Sequence, residues 1–563
     1  MKRAADPTRV LFENYSTMNI DQTLISAGMG RYQFISCLLF GIMILYTNIT
    51  SVLYIFTAGD LKYRCEIPEC DSLDRAKWIY EPDWLRFTTP YRSDTGKPQK
   101  CQRFARNHSS GTNTNLCERS EFDETATESC RDRWVFEDYE NTIGTEFGLM
   151  CEENKWKLSL VGSVHNMGQF IGIPVSGIVS DKFGRKFTMV VGSVLTAMIY
   201  IVQSFSVSYP MFLVLEVLSS SIFSGVYGAT FILAMELVLP DKRVLYYSIL
   251  ECFNPIGGMI VALIASQVKD WRILLRMSNV LGLFFISYHW LAEESMRWME
   301  MQGKHDKVIS VLKKIATVNK KTLLDLPSDT QMESKNNEDE NDAKVNTSIL
   351  KDIFRSSTIF WRMIRCSLLW IAAAFVYYGL NISATEIAGN KYLNFALVSF
   401  VEIPACLFNW IIMERMSRKT SLFSMFLLSG ATCIVYNISY DYVGFTLRLS
   451  LFMISKLAIS IAFTIVYILT AEIFPTTMRA TMLSLCSMFG RIGSMLSPQI
   501  TLMAEYFGGY IAMFFMGSIA ILAAVITVTL PESKNVKLPD TIDEAEKIGN
   551  DPSSETVEVS MIN

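Results

Sequence analysis

Charge is what this sequence has least of. Of its 563 residues 19% are charged and 50% apolar, where an ordinary soluble domain is about a quarter charged. Histidine is scarcer still, with four in the whole chain. The 51 basic and 55 acidic side chains leave a net charge of −4, so there is no basic excess to grip a nucleic-acid backbone, and nucleic acid is excluded as a partner. No Gly-x-x-x-x-Gly-Lys-Ser/Thr phosphate loop, His-Glu-x-x-His helix or Gly-x-Ser-x-Gly elbow occurs. These absences argue against ATP hydrolysis and hydrolase chemistry. The chain reads as a non-enzyme without cofactor or metal.

What is present is long apolar runs. A helix needs about 20 mainly apolar residues to cross a bilayer core, because lipid offers backbone groups no hydrogen bonds. Twelve windows qualify, near 33–56, 158–180, 187–207, 211–235, 244–268, 271–291, 359–380, 391–413, 421–437, 444–470, 482–505 and 508–530. The first follows a mixed segment, Met1 to Tyr32, without a small-residue cleavage site, and reads as a retained span. Lys182, Arg185 and Lys186 in one short turn, and Arg415, Arg418 and Lys419 in another, mark the cytoplasmic side. Both termini are then expected inside, and segment 58–157 outside.

That outer segment holds Cys65, Cys70, Cys101, Cys117, Cys130 and Cys151. An even cluster in an oxidising compartment reads as three disulfides in a small loop-rich domain, with the pairing left open. Tight Cys-x-x-Cys pairs are missing, which argues against zinc. Asn107-His108-Ser109 is the acceptor sequon expected to carry sugar.

Self-comparison yields an internal repeat. Glu236 and Arg243 recur as Glu472 and Arg479; Asp181-Lys-Phe-Gly184-Arg185-Lys186 recurs as Glu414-Arg-Met-Ser-Arg418-Lys419; Glu294-Ser295 recurs as Glu532-Ser533. The expected organisation is a cytoplasmic segment 1–32, a six-helix half 33–291, a polar linker 292–358, a second half 359–530 and a tail 531–563. Parallel halves of this kind place a ligand site between them near the midplane. The repeated charges, Asp181, Gly184, Arg185, Lys186, Glu236 and Arg243 with Glu414, Arg418, Glu472 and Arg479, form a candidate cytoplasmic gate.

Gly177–Lys186 resembles the signature loop of the major facilitator superfamily. The six-cysteine loop, Glu294-Ser-Met-Arg297-Trp298, Tyr377-Tyr378-Gly379-Leu380 and Thr470-Ala-Glu472-Ile-Phe-Pro475-Thr-Thr-Met-Arg479 narrow the resemblance to its organic cation, anion and zwitterion transporter branch, the carnitine and organic-cation carriers among them. The resemblance implies an all-α membrane protein with twelve transmembrane helices in two six-helix pseudo-repeats, a plasma-membrane location and a small organic ion as substrate.

Ionisable groups at midplane depth cost about 2.5–3.5 kcal/mol on insertion scales and usually face a cavity or a partner. Arg491, Lys456 and Glu402 are such groups in the second half, and Glu216 and Glu251 in the first. Arg491 offers a planar fork suited to a carboxylate. Its position resembles the arginine of the family's anion and zwitterion carriers, where cation carriers have aspartate. Lys456 resembles one of two lysines of dicarboxylate exchangers; Cys406 stands at the other. Glu402 resembles the acid of cation and carnitine-type carriers, and Tyr377, Tyr378 and Phe463 are a candidate aromatic wall for an ammonium group. A zwitterion fits this set, with sodium or a proton as a candidate coupling ion. The bland alternative for Arg491 and Lys456 is internal pairing that only joins helices. An organic cation uniporter and a non-transporting receptor-like scaffold are the competing readings, and a channel is disfavoured because no repeated pore loop is present.

Overall fold

The computed structural model describes residues 24–548 except 26, 73, 75–76, 92–97, 107–116, 131–132, 240–241, 322–355, 388, 440–441, 476–477, 501, 504–508, 535–538 and 540. Asn107 and most of the polar linker lie outside the described residues. Among the described residues nine helices are long and apolar enough to cross a membrane: Arg31–Thr57, Arg185–Gln203, Tyr209–Glu236, Leu245–Gln267, Ser357–Ser383, Lys391–Arg415, Arg418–Ile438, Phe445–Ile473 and Ile511–Val528. Three more complete the expected twelve. Glu152–Phe183 is the second span; Trp271–Leu283 is the sixth, extended by a 3₁₀ turn over Phe284–Ser287; Arg479–Leu496 is the eleventh.

Sequence chemistry sets the helix ends. Asp270 accepts from the N–H groups of Arg272 and Ile273 and starts the sixth span, while Asn390 does the same for the eighth through Tyr392 and Leu393. Between the second and third spans Gly184 turns the chain at φ +102°, and any Cβ there would strike the Glu294 carboxylate. The fifth span breaks at Cys252 into Arg243–Glu251 and Phe253–Gln267, a break that its continuous apolar run does not announce.

The segment after the first span folds into a small domain with two antiparallel ladders, β1 (Tyr63–Cys65) with β4 (Trp134–Phe136) and β2 (Gln102–Arg106) with β3 (Phe122–Ser129). Three disulfides hold it: Cys65–Cys130, Cys70–Cys117 and Cys101–Cys151. At its centre Arg64 pairs with Asp71 through two hydrogen bonds of 2.9 and 2.8 Å. The domain grips both halves of the bundle. Glu146 takes hydrogen bonds from Trp271 and Arg272 of the sixth span, and Glu140 lies 2.7 Å from Lys391 and accepts from Tyr392, both on the eighth.

The halves meet along close helix pairs. Near the disulfide domain Ser163 of the second span donates to the Met495 carbonyl at 2.7 Å, and Gln499 donates to Ser163 at 2.9 Å. Phe56 and Phe395 meet edge to face at 5.1 Å. Farther in, a Cβ on Gly258 would come 2.6 Å from Ser399 Oγ, so only glycine lets the fifth and eighth spans approach this closely.

Candidate functional site

In the second half the structure gathers the residues that the sequence places at midplane. Lys456 is fully buried on the tenth span, and its Nζ stands 2.7 Å from Glu402 Oε1 on the eighth. Tyr377 of the seventh span donates to the same oxygen at 2.8 Å. The Lys456 ammonium also rests 3.3 Å from the centroid of the Tyr377 ring. Phe463 packs against Tyr377 at 5.5 Å and against Trp370 at 5.6 Å. Tyr378 extends the chain of contacts, its ring 5.2 Å from that of Tyr377 and its hydroxyl accepting a 3.4 Å hydrogen bond from Arg491. All six candidate residues thus form one connected cluster across four spans.

Within that cluster the two cations differ. Lys456 pairs internally with Glu402, the arrangement weighed above as bland. Its ammonium occupies the Tyr377 face that the sequence reading offered to a ligand. Arg491 is half-buried, donates one hydrogen bond, to the Tyr378 hydroxyl, and has no carboxylate in ion-pair range among the described residues. Removing one member of a buried pair strands a charge, so Glu402 and Lys456 serve each other while Arg491 keeps its fork available.

The first half carries a different core. Glu216 of the fourth span receives His165 Nδ1 at 2.7 Å, Gln203 at 2.7 Å and the Tyr200 hydroxyl at 3.4 Å. The Gln169 amide, assigned as donor to His165 Nε2 at 2.9 Å, places the histidine proton on Nδ1. His165 is 1% and Glu216 2% exposed. Nearer the seam, Glu251 accepts from the Tyr227 hydroxyl at 2.6 Å.

At the end away from the disulfide domain the repeated charges build two matching clamps. Glu236 accepts from the Ser295 hydroxyl, and Glu472 from Ser533 at 2.7 Å. Glu294 accepts from the Lys186 amide at 3.0 Å, and Glu532 from the Arg418 and Lys419 amides at 2.9 and 3.1 Å. Arg185 pairs with Asp181 at 3.1 Å, and Arg418 with Glu472 at 3.4 Å. Burial raises the Glu532 carboxyl, but the Ser417 hydroxyl and the Lys534, Lys419 and Arg418 amides outweigh it and hold the group below its ordinary range. Arg185 pairs with Asp181 and Arg418 with Glu472 inside one half, while Glu236 and Glu472 reach the serines at the start of the linker and of the tail. Gly184 supplies the turn and Lys186 the backbone donor. Arg243 donates to the Val238 carbonyl at 3.3 Å, Glu414 lends its carbonyl to Lys534, and Arg479 has two buried guanidinium nitrogens without a hydrogen bond among the described residues. The roles of Glu294, Ser295, Glu532 and Ser533 as clamps were signalled in sequence by the repeat itself.

Comparison with known proteins agrees with this architecture. Residues 95–544 match the family described as "Sugar (and other) transporter". The mouse organic cation/carnitine transporter 2 is 30% identical over 531 residues, covering 92% of this chain and 91% of that protein. The mouse solute carrier family 22 member 12 is 28% identical over 531 residues, covering 92% and 94%. Among solved structures, a partially occluded, inward-open xylose transporter from E. coli superposes with TM-score 0.56 at 17% identity, over 70% of this chain and 93% of that one. Fold and family match define a multi-pass membrane transporter of the major facilitator fold. The chain belongs to the sugar (and other) transporter family, and its curated relatives are organic cation/carnitine transporters of solute carrier family 22.

Proposed function

We propose that this chain carries small organic ions across the plasma membrane by alternating access, with zwitterions of the carnitine or β-alanyl-amine type, or organic anions, as substrates. The observation that carries the reading is Arg491: a half-buried guanidinium on the eleventh span whose one hydrogen bond among the described residues goes to Tyr378. A planar fork of this kind binds a carboxylate by two parallel hydrogen bonds. Tyr377, Tyr378 and Phe463 wall that side, and the Lys456–Glu402 pair sets a polar floor whose charges cancel. The clamps at the far end act in this reading as the gate that reorganises as the halves rock. Termini and clamps face the cytoplasm, and Asn107 carries sugar on the outer domain.

The reading is tested by saturable uptake of labelled carnitine, a β-alanyl amine, an aromatic monoanion and a quaternary ammonium probe into cells expressing the chain. Each is measured with and without sodium and at two pH values. Zwitterions or anions are expected to be preferred, and Arg491→Ala at matched surface abundance is expected to reduce their uptake at least tenfold. Uptake of the ammonium probe alone, or an Arg491→Ala variant equal to the parent chain, would overturn it.

A further inference from the structure

Six cysteines stay outside the disulfides, and they are not alike. Cys37, Cys366, Cys433 and Cys486 are buried, whereas Cys252 and Cys406 are half-buried. These two belong to opposite halves of the bundle: Cys252 stands at the break of the fifth span, and Cys406 lies one helical turn beyond Glu402 on the eighth. Their thiols lie within hydrogen-bonding reach of each other. Cys252 donates to the Ser248 carbonyl at 3.2 Å, which leaves its sulfur to accept from the Cys406 S–H.

Helix packing puts the pair on one contact line independently of the thiols. Both segments of the fifth span pack on the eighth, and the two spans run in opposite directions: Asp270 past the end of the fifth and Lys391 at the start of the eighth both meet the disulfide domain. Gly258 faces Ser399 at close range. In an antiparallel pair, contacts recur as one number falls and the other rises. Moving about 10 Å toward the clamps from Gly258 and from Ser399, at 1.5 Å per residue, lands on Cys252 and Cys406. The close approach that only glycine permits at Gly258 is the packing that a bridge between two backbones needs. Cys366 and Cys486 make the contrast, since both are sealed in the core of the second half and a bond between them would join nothing across the seam.

We propose that Cys252 and Cys406 are an oxidisable dithiol, which hydrogen peroxide closes into a disulfide between the two halves. One sulfur attacks a peroxide oxygen and the O–O bond breaks; the thiol proton goes to the departing hydroxide, leaving a sulfenic acid and one water. The second sulfur attacks the sulfenic sulfur, the S–O bond breaks, and that hydroxide leaves as a second water with the second thiol proton. The two thiols lose two electrons and two protons in all, and the peroxide becomes two waters. The bond ties the fifth span to the eighth. Its consequence for transport rests on the alternating-access reading, because halves joined there cannot separate along that line as they rock.

The first test is chemical and does not depend on transport. Purified full-length protein with its outer disulfides intact is exposed to hydrogen peroxide, the remaining thiols are blocked with N-ethylmaleimide, and the digest is read by mass spectrometry. A linked Cys252–Cys406 peptide is expected, at least tenfold more abundant than any other new linkage. Phenylarsine oxide, which bridges two neighbouring thiols, is expected to shield both cysteines from N-ethylmaleimide in the parent chain and to leave Cys406 open in Cys252→Ser. Separate alkylation or separate oxidation of the two cysteines in the peroxide-treated parent chain overturns the proposal. Uptake of carnitine then separates the two readings. Peroxide is expected to lower uptake by the parent chain at least fivefold, while Cys252→Ser transports like the untreated parent and keeps its uptake after treatment. Linkage without loss of uptake overturns the lock; no uptake by the untreated parent chain counts against the transport reading, and the linked peptide still decides the dithiol.

Discussion

At the end of the bundle away from the disulfide domain the two halves are near copies, and at mid-depth they are not. Glu236 with Ser295 and Glu472 with Ser533 make the same hydrogen bond, and Glu294 and Glu532 cap the same helix start. Halfway through the bundle the first half buries a carboxylate among neutral donors, His165, Gln203 and Tyr200. The second half buries a lysine on a tyrosine ring beside a glutamate and leaves an arginine half-open. Repetition is kept where chain turns must be fixed in both halves. It is lost at mid-depth, where the site proposed for an organic ion lies.

The largest effect is expected where the asymmetry is most costly. Lys456→Met leaves Glu402 as an unpaired buried carboxylate, a loss of about 3–5 kcal/mol for breaking such a pair. Thermal denaturation should show it. The double variant Lys456→Met with Glu402→Gln should recover most of the stability, because no stranded charge remains. Equal destabilisation by the single and double variants would mean that the pair is not what holds these spans.

The smallest effect is expected at the repeated clamps. The native environment keeps the Glu532 carboxyl below its ordinary range. Its contribution to stability is therefore complete above the unfolded-state value and disappears as pH falls through the lower native value. Glu532→Gln should therefore lose that contribution at neutral pH, flatten the acid limb in a thermal-shift profile and match the parent chain at low pH. Because Glu294 holds the matching position, Glu294→Gln should destabilise the protein by a similar small amount, about 1 kcal/mol for one charge-assisted cap. A loss several times larger in one half than in the other would break the equivalence.

Much of this was legible in the sequence, for reasons that also mark where legibility stops. Span count follows from run length, which the bilayer fixes. The clamps follow from the repeat, because Glu236 and Glu472 recur with their serines and arginines in register. Cysteine number foretold a disulfide domain, but the partners of Cys65 and Cys70 depend on how the strands pair. The meeting of Glu402 with Lys456 was weighed as an alternative. That Lys456 would also cover the Tyr377 ring depends on the rotation of three helices, which periodicity does not encode. Glu251 was legible as an ionisable group at midplane depth, but nothing local shows that the fifth span breaks at Cys252 and that this acid accepts from Tyr227.

The most direct measurement sets the two mid-depth charges against each other: the KM for a transported zwitterion and the melting temperature, determined side by side for Glu216→Gln and Arg491→Gln. Arg491→Gln is expected to raise KM at least tenfold with the melting temperature nearly unchanged. Glu216→Gln is expected to lower the melting temperature and leave KM within about twofold, because its amide nitrogen sets one buried donor against another at a cost of about 1–3 kcal/mol. The reverse pattern, with KM following Glu216 and stability following Arg491, would contradict the assignment of ligand recognition to Arg491.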